Sequence, residues 1–318
     1  MVEKAVIDRI ESELSKFMDS EVEFLLKIGS YILSSGGKRL RPVLVLTFAK
    51  LLRGENHDRD YPLAVAMEYL HTASLLHDDV VDGADTRRGK PSANRVFGND
   101  TVVLTGDYMY ANALYLFSVY GDIDMIKNVS DSVKKMAEGQ LLELKKIGDI
   151  DITYDEYFQI LEGKTAVLFG SCCYVGTALG GGSQKQKESA YRYGLNIGLA
   201  FQLIDDYLDY ASTEEKLGKP VCNDLREGKI TYPLLSVLDQ LTEEEKEFVK
   251  KVIRDINPSQ EKINRVKQIV QEKGGMTKTI EKARQLIDNA IGELENFPDN
   301  EYLKKLEELA KFIVEREF

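Results

Sequence analysis

The sequence predicts an all-α fold, one helical-bundle domain over residues 1–318. Three observations carry that prediction. Only 7 of the 318 residues are proline, and the chain is rich in the Leu, Ala, Glu and Lys that favour helix. Apolar residues recur at helical spacing along most of its length. No succession of short alternating strands with turn signals is present, which speaks against an all-β or parallel α/β fold.

Taken in order, the first segment carries Val2, Val6, Ile10, Leu14 and Phe17 on one helical face. A break at Ser34 to Gly37 precedes "KRLRP", where Pro42 suits a first helical turn. "RGENHDRDY" (53–61) is a loop, and Pro62 opens a helix running to about Asp82. Its middle, "LAVAMEYLHTASLL", is apolar or small on nearly every side, the mark of a helix inside a bundle. "GADTRRGKPS" is the next loop. Residues 101–120 form a second nearly all-apolar helix, which neighbouring helices or a second subunit must cover; Tyr108, Met109 and Leu116 are the candidate dimer contacts. Helices are expected over 123–146, 153–179 and 184–210. Thr242 with Glu245 forms a capping box, and the C-terminal third is charged, amphipathic helix without obvious chemistry.

Composition excludes several classes of function. A net charge of −11 is wrong for a sequence-independent nucleic-acid binder. Cys172, Cys173 and Cys222 lack metal-ligand spacing and read as buried free thiols. The N-terminus is charged and amphipathic rather than a signal peptide, and no apolar run reaches the ~18 residues of a membrane span. A cytoplasmic protein is expected.

The chemistry concentrates in two echoing stretches. "LLHDDVVD" (75–82) recurs 127 residues later as "QLIDDYLD" (202–209). In each, aspartates occupy positions one, two and five of DDxxD behind an apolar helical run, with basic residues following. On a helix, i and i+4 share a face while i+1 is turned by about 100°. Asp78 and Asp82 therefore grip one cation together with Asp79 beside them, and Asp205, Asp206 and Asp209 repeat the pattern. All-oxygen sites without Cys or His suit hard cations, Mg2+ above all, which keeps phosphate oxygens and waters in its shell. One such motif among 53 acidic residues is weak evidence of a site; two on apolar helices frame a pocket for a magnesium-bound polyanion.

Cationic side chains to complement a polyanion lie beside both clusters: Lys38, Arg39 and Arg41 at a helix start, Arg87 and Arg88 after the first cluster, Lys219 and Lys229 after the second, and Lys164 with Thr165 in "EGKTAVLFG". A P-loop is excluded because position 158 is Phe, and "GDIDITYD" lacks the EF-hand glycine. His71 is about two turns before Asp78, where a satisfied core histidine is an equal reading.

Together, "GGKRLRP", "HTASLLHDDVVDGADTRRGKPSAN", "GDYMYANALYLF", "EGKTAVLFG", "FQLIDDYLDY" and "GKPVCNDLREGKITYPLL" resemble the trans-isoprenyl diphosphate synthases, or polyprenyl synthetases, from residue 36 to about 240. The resemblance implies an all-helical isoprenoid-synthase bundle around a central cavity, usually a homodimer, that condenses an allylic diphosphate with isopentenyl diphosphate. It implies Asp78, Asp82 and Asp205 as main magnesium ligands, with Asp79, Asp206 and Asp209 in support. Arg87, Lys164, Thr165, Gln202, Lys219 and Lys229 would serve the allylic diphosphate; Lys38, Arg41, His71 and Arg88 would hold isopentenyl diphosphate. Oxygens near Lys164, Thr165 and Gln202 would face the allylic cation.

Product length is read from the turns before Asp78. Short-chain members similar to this one often carry a bulky aromatic there, whereas this chain has Ala73 and Ser74, with Leu70 a turn below. The expectation is a medium- or long-chain product, octaprenyl-like, as in bacterial enzymes that make quinone side chains, with transient membrane-surface contact for its release. The alternatives are a geranylgeranyl or farnesyl diphosphate synthase, and a non-catalytic subunit of a heteromeric synthase, which would normally lack one or both motifs. A terpene cyclase is disfavoured by the second aspartate motif.

Overall fold

The computed structural model describes residues 4–211 and 221–315, so Val2 lies outside the described residues. The described chain is helical apart from one two-stranded antiparallel hairpin, Thr86–Arg87 with Lys90–Pro91. Its contacts group it into two compact units.

The first unit comprises Met1–Val133, Leu168–Tyr191 and Glu295–Leu306. It contains α1 (Lys4–Phe17), α2 (Glu23–Leu33), α3 (Leu40–Arg53), α4 (Asp60–Val81), α5 (Ala93–Phe97) and α6 (Asn99–Tyr120). α4 is its core, with every residue from Asp60 to Leu70 buried. The helix starts two residues before Pro62 because Asp60 is held there: its carboxylate pairs with Arg53 and accepts the His57 N–H at 2.7 Å. Tyr69, in the middle of α4, donates to the Leu14 carbonyl at 2.6 Å and ties α1 down. Helix α9 (Val167–Leu179) crosses α3 so closely that a Cβ on Gly176 would lie 2.3 Å from the Val45 carbonyl oxygen.

Helix α6 divides its apolar residues between two destinations. Met109 and Leu116 are fully buried within the chain itself, so they are core residues and not the dimer contacts expected of them. The exposed apolar side chains of this helix are Leu104, Leu114, Tyr115 and Val119, Leu104 at 65%.

The second unit comprises Lys134–Val167, Arg192–Leu294 and Glu307–Phe318. It takes in the later part of α7 (Ile123–Lys146), α8 (Tyr154–Leu161), the later part of α10 (Gln184–Ala211) and the amphipathic helices Glu243–Ile253, Gln260–Glu272 and Gly275–Glu293. Capping boxes open α8 (Thr153 with Glu156) and the helix at Glu243 (Thr242 with Glu245); the second was legible in the sequence. The helix expected over 153–179 is interrupted by a π-helical turn at Glu162–Ala166. Glycines allow it: a Cβ on Gly163 would lie 2.7 Å from the Lys135 carbonyl oxygen and 2.8 Å from the Gly139 Cα. All three cysteines are buried free thiols. No helix among the described residues is long and apolar enough to cross a membrane.

Candidate active site

Both aspartate clusters fall at the carboxyl ends of helices. Asp78 and Asp79 lie in the last turn of α4, with Asp82 as its C-cap, and Asp205, Asp206 and Asp209 fill the last two turns of α10. Neither helix has a basic residue in its last turn. A helix C-terminus carries partial negative charge and favours cations, so three carboxylates there are set against the helix dipole.

Within each cluster the carboxylates divide by accessibility. Asp78, Asp82 and Asp205 reach solvent, whereas Asp79, Asp206 and Asp209 are buried. The buried three are engaged by protein. One oxygen of Asp79 accepts from Arg87 Nε at 2.7 Å and Nη2 at 2.6 Å, while the Asn94 amide fastens the Asp79 backbone carbonyl at 3.1 Å. Asp206 accepts from the Tyr157 hydroxyl at 2.5 Å and from Gln202 Nε2 at 3.1 Å. Asp209 receives the Asn223 and Asp224 backbone N–H groups, one on each oxygen, both at 3.1 Å. Burial pushes the Asp206 carboxyl up to about 6 against these hydrogen bonds. Beside the first cluster, burial and the charges of Asp78 and Asp107 push the Tyr110 hydroxyl up to about 12. Among the described residues no three carboxylate, imidazole or thiol groups converge as a ready-made cation site.

The first unit also gathers cationic groups. Burial, then the charges of Arg41, Arg88, Arg87 and Arg39, hold His71 well below the usual imidazole value, so it is neutral at pH 7. Arg41 lies over the Phe169 ring at 4.5 Å, and its buried Nε has no hydrogen-bond partner. Arg88 sits at the tip of the hairpin, φ 52, and donates to the Gly36 carbonyl. Arg39, φ 48, is 4% exposed and donates to Glu68 at 2.9 Å, to both Glu11 oxygens at 2.7 and 3.2 Å, and to the Leu33 carbonyl at 2.7 Å. Lys38 lies in the loop just before it. Non-glycine residues held in the left-handed region store strain and cluster at functional sites. Leu70 and Ala73 are buried on α4; Ser74 is half-buried and donates to the His71 carbonyl at 2.8 Å.

In the second unit a cleft of about 140 Å³ is lined by Lys164, Thr165, Gln202, Asp206 and Lys229, together with Glu143 and Tyr157. The π-helical turn presents Lys164 and Thr165. Lys164 pairs with Glu143, and Lys229 lies 3.8 Å from the same Glu143 oxygen and 2.7 Å from Glu227. Lys219 lies outside the described residues. Glu143, Tyr157 and Glu68 were not singled out in the sequence. Each is recognised only through a partner distant along the chain.

The polyprenyl synthetase family model matches residues 22–272. Octaprenyl diphosphate synthase of Escherichia coli is 35% identical over 308 residues, 97% of this chain and 95% of that protein. The crystal structure of polyprenyl synthase from Caulobacter crescentus, complexed with calcium and isoprenyl diphosphate, superposes with a TM-score of 0.92 at 35% identity, covering 98% and 95% of the two chains. Decaprenyl diphosphate synthase from Rhodobacter capsulatus superposes at 0.93 with 32% identity, over 98% and 96%. With this fold, these motifs and these relatives, the chain belongs to the polyprenyl synthetase family and is a prenyltransferase.

Proposed function

We propose that this chain condenses an allylic diphosphate with isopentenyl diphosphate to make a medium- or long-chain, octaprenyl-like all-trans polyprenyl diphosphate. The observation that carries the reading is the pair of carboxylate clusters at helix C-termini, each with accessible oxygens over a buried, hydrogen-bonded base. Such an arrangement is unfavourable until a cation joins it. The residues fit magnesium: the donors are all oxygen, and Asp79 keeps a buried Oδ2 without a partner. Because no three ligating side chains converge among the described residues, diphosphate oxygens and water would complete the shell. Asp78, Asp82 and Asp205 would be the direct ligands, with Asp79, Asp206 and Asp209 anchoring them from behind.

When bound, magnesium supplies neutralisation of the charge that develops on the diphosphate leaving group. The protein's own residues do the rest. Lys164 and Lys229, with Arg87 and Lys219, would hold the allylic diphosphate in line for ionisation. The Glu143 carboxylate keeps the two cleft lysines from repelling each other until the substrate phosphates take over that part. Thr165 and Gln202 present oxygens to the allylic cation. Lys38, Arg41 and Arg88 would bind isopentenyl diphosphate, with neutral His71 as a hydrogen-bonding partner, since Glu11, Glu68 and Asp79 are already engaged by Arg39 and Arg87. Preorganised charge of this kind acts mainly on the transition state. The proton leaving the new allylic product is assigned to the released diphosphate, the acceptor that membership of this family implies.

We infer that residues 1–318 act as one polyprenyl synthetase domain, a reading supported by the family match across 22–272. We also infer a cytoplasmic homodimer, supported by the exposed apolar side chains of α6, a class of surface that marks interaction sites, with passing contact to a membrane surface as product leaves. The small residues Ala73 and Ser74 and the names of the relatives support long product; the geranylgeranyl and farnesyl readings would need a shorter tail. Incubation with farnesyl diphosphate, labelled isopentenyl diphosphate and Mg2+, followed by sizing of the product, tests this directly. Asp78→Ala and Asp205→Ala should each lower turnover about a thousandfold, roughly 4 kcal/mol of transition-state stabilisation, with helical circular dichroism unchanged. Near-normal turnover in either variant would reject the ligand assignment.

A further inference from the structure

The cleft of the second unit contains a chain of hydrogen bonds whose far end touches none of the groups assigned to substrate. Thr165 Oγ1 donates to Gln202 Oε1 at 3.3 Å, Gln202 Nε2 donates to Asp206 Oδ1 at 3.1 Å, and Tyr157 donates to Asp206 Oδ2 at 2.5 Å. The chain has a direction. The Tyr157 phenol carries a proton and an ionised carboxylate only accepts, so Tyr157 is the donor to Asp206. With Oδ2 so occupied, Asp206 offers Oδ1 as an acceptor, and Gln202 must turn its NH2 toward it. The amide oxygen of Gln202 then faces Thr165. Reversing that amide would set its carbonyl against a carboxylate and lose the bond to Asp206, while Thr165 would become an acceptor of the NH2.

Tyr157 is itself held. It is 2% exposed, and its ring meets Phe158 at 5.4 Å and Tyr232 at 5.9 Å between centroids. The phenol therefore approaches Asp206 from a fixed wall.

We propose that Tyr157 is a positioning residue that, acting through Asp206, fixes the orientation of Gln202 and Thr165 on the wall that takes the allylic diphosphate. This rests on the reading of that wall given above. Outer hydrogen-bond partners of this kind typically change affinity or activity by 10- to 100-fold when removed.

The test is Tyr157→Phe, which deletes one oxygen and keeps the ring. The expected result is a KM for farnesyl diphosphate raised about tenfold or more, with the KM for isopentenyl diphosphate unchanged. A second readout is independent of turnover: the rise in melting temperature produced by inorganic diphosphate with Mg2+ should shrink in the variant. Gln202→Leu is the reference. If it also raises the farnesyl diphosphate KM, and the double variant is no worse than the poorer single one, the two residues act as one unit. Unchanged allylic KM in Tyr157→Phe beside a raised one in Gln202→Leu overturns the proposal alone. Unchanged allylic KM in Gln202→Leu overturns the reading of the wall itself. If Tyr157→Phe does not fold, Thr165→Val breaks the other end of the chain, and a normal allylic KM there is equally fatal to the proposal.

Discussion

Removing the Arg39 side chain should unfold the protein sooner by an amount its partners allow to be worked out. Glu11 is 45% exposed at its side chain and can rehydrate when Arg39 is lost, so that exposed pair accounts for at most about 1 kcal/mol. Glu68 is 6% exposed and cannot rehydrate. Stripping one partner from a buried ion pair costs about 3–5 kcal/mol. Because Arg41 also feels the Glu68 charge, the lower end applies, about 3 kcal/mol in Arg39→Met, which keeps most of the aliphatic stem. In a chain of this size that is a melting temperature lowered by roughly 6 °C. The assay is thermal or urea unfolding followed by far-ultraviolet circular dichroism, repeated on Glu68→Leu and on the double variant. If the deficit comes from a stranded buried carboxylate, Arg39→Met/Glu68→Leu should recover most of it, since replacing both partners by apolar groups is often near neutral. A double variant less stable than Arg39→Met would refute the reasoning.

Three further outcomes follow from described geometry. Ala73→Tyr or Ser74→Phe should shorten the product toward four isoprene units without abolishing turnover, because a packed helical face yields little to an oversized side chain; reversed-phase chromatography after dephosphorylation reads it. His71 takes up a proton less readily folded than unfolded, so stability is fully present above about pH 6.5 and falls below it by at most about 1.4 kcal/mol per pH unit. In His71→Asn the unfolding free energy should be flatter with pH over that window. Gly163→Ala should lower stability by about 1–3 kcal/mol and turnover with it, since the added Cβ meets backbone on two sides and the turn carrying Lys164 must shift; a normal melt with normal turnover would show that the turn has slack.

What the sequence discloses here, and what it withholds, follows from the range of the forces involved. Asp78 and Asp82 could be paired on paper because four residues make one helical turn whatever surrounds them. The basic residues beside each motif were legible for the same reason, being local. The bond from Tyr157 to Asp206 was not, because the two are 49 residues apart, and neither was the pairing of Lys164 with Glu143, 21 residues away. The π-helical turn left no trace either: "EGKTA" suits an ordinary helix, and the close approach of Gly163 to Gly139 is not local in sequence. Helix α6 reads as apolar on every side. Only packing shows that Met109 and Leu116 go inward while Leu104 and Tyr115 do not.

The two left-handed arginines bear on any attempt to make this enzyme more robust. A backbone-guided redesign would choose Arg39 and Arg88 among its first targets, because Gly or Asn relieves about 1–2 kcal/mol of left-handed strain at such positions. Both choices would be wrong in use. Arg88 belongs to the group of cations around His71, and Arg39 neutralises Glu68 beneath it. Heat tolerance in this chain is better sought on the amphipathic C-terminal helices, where none of the assigned site residues lies. A screen that selects on melting temperature alone would enrich variants that survive heating and no longer bind diphosphate.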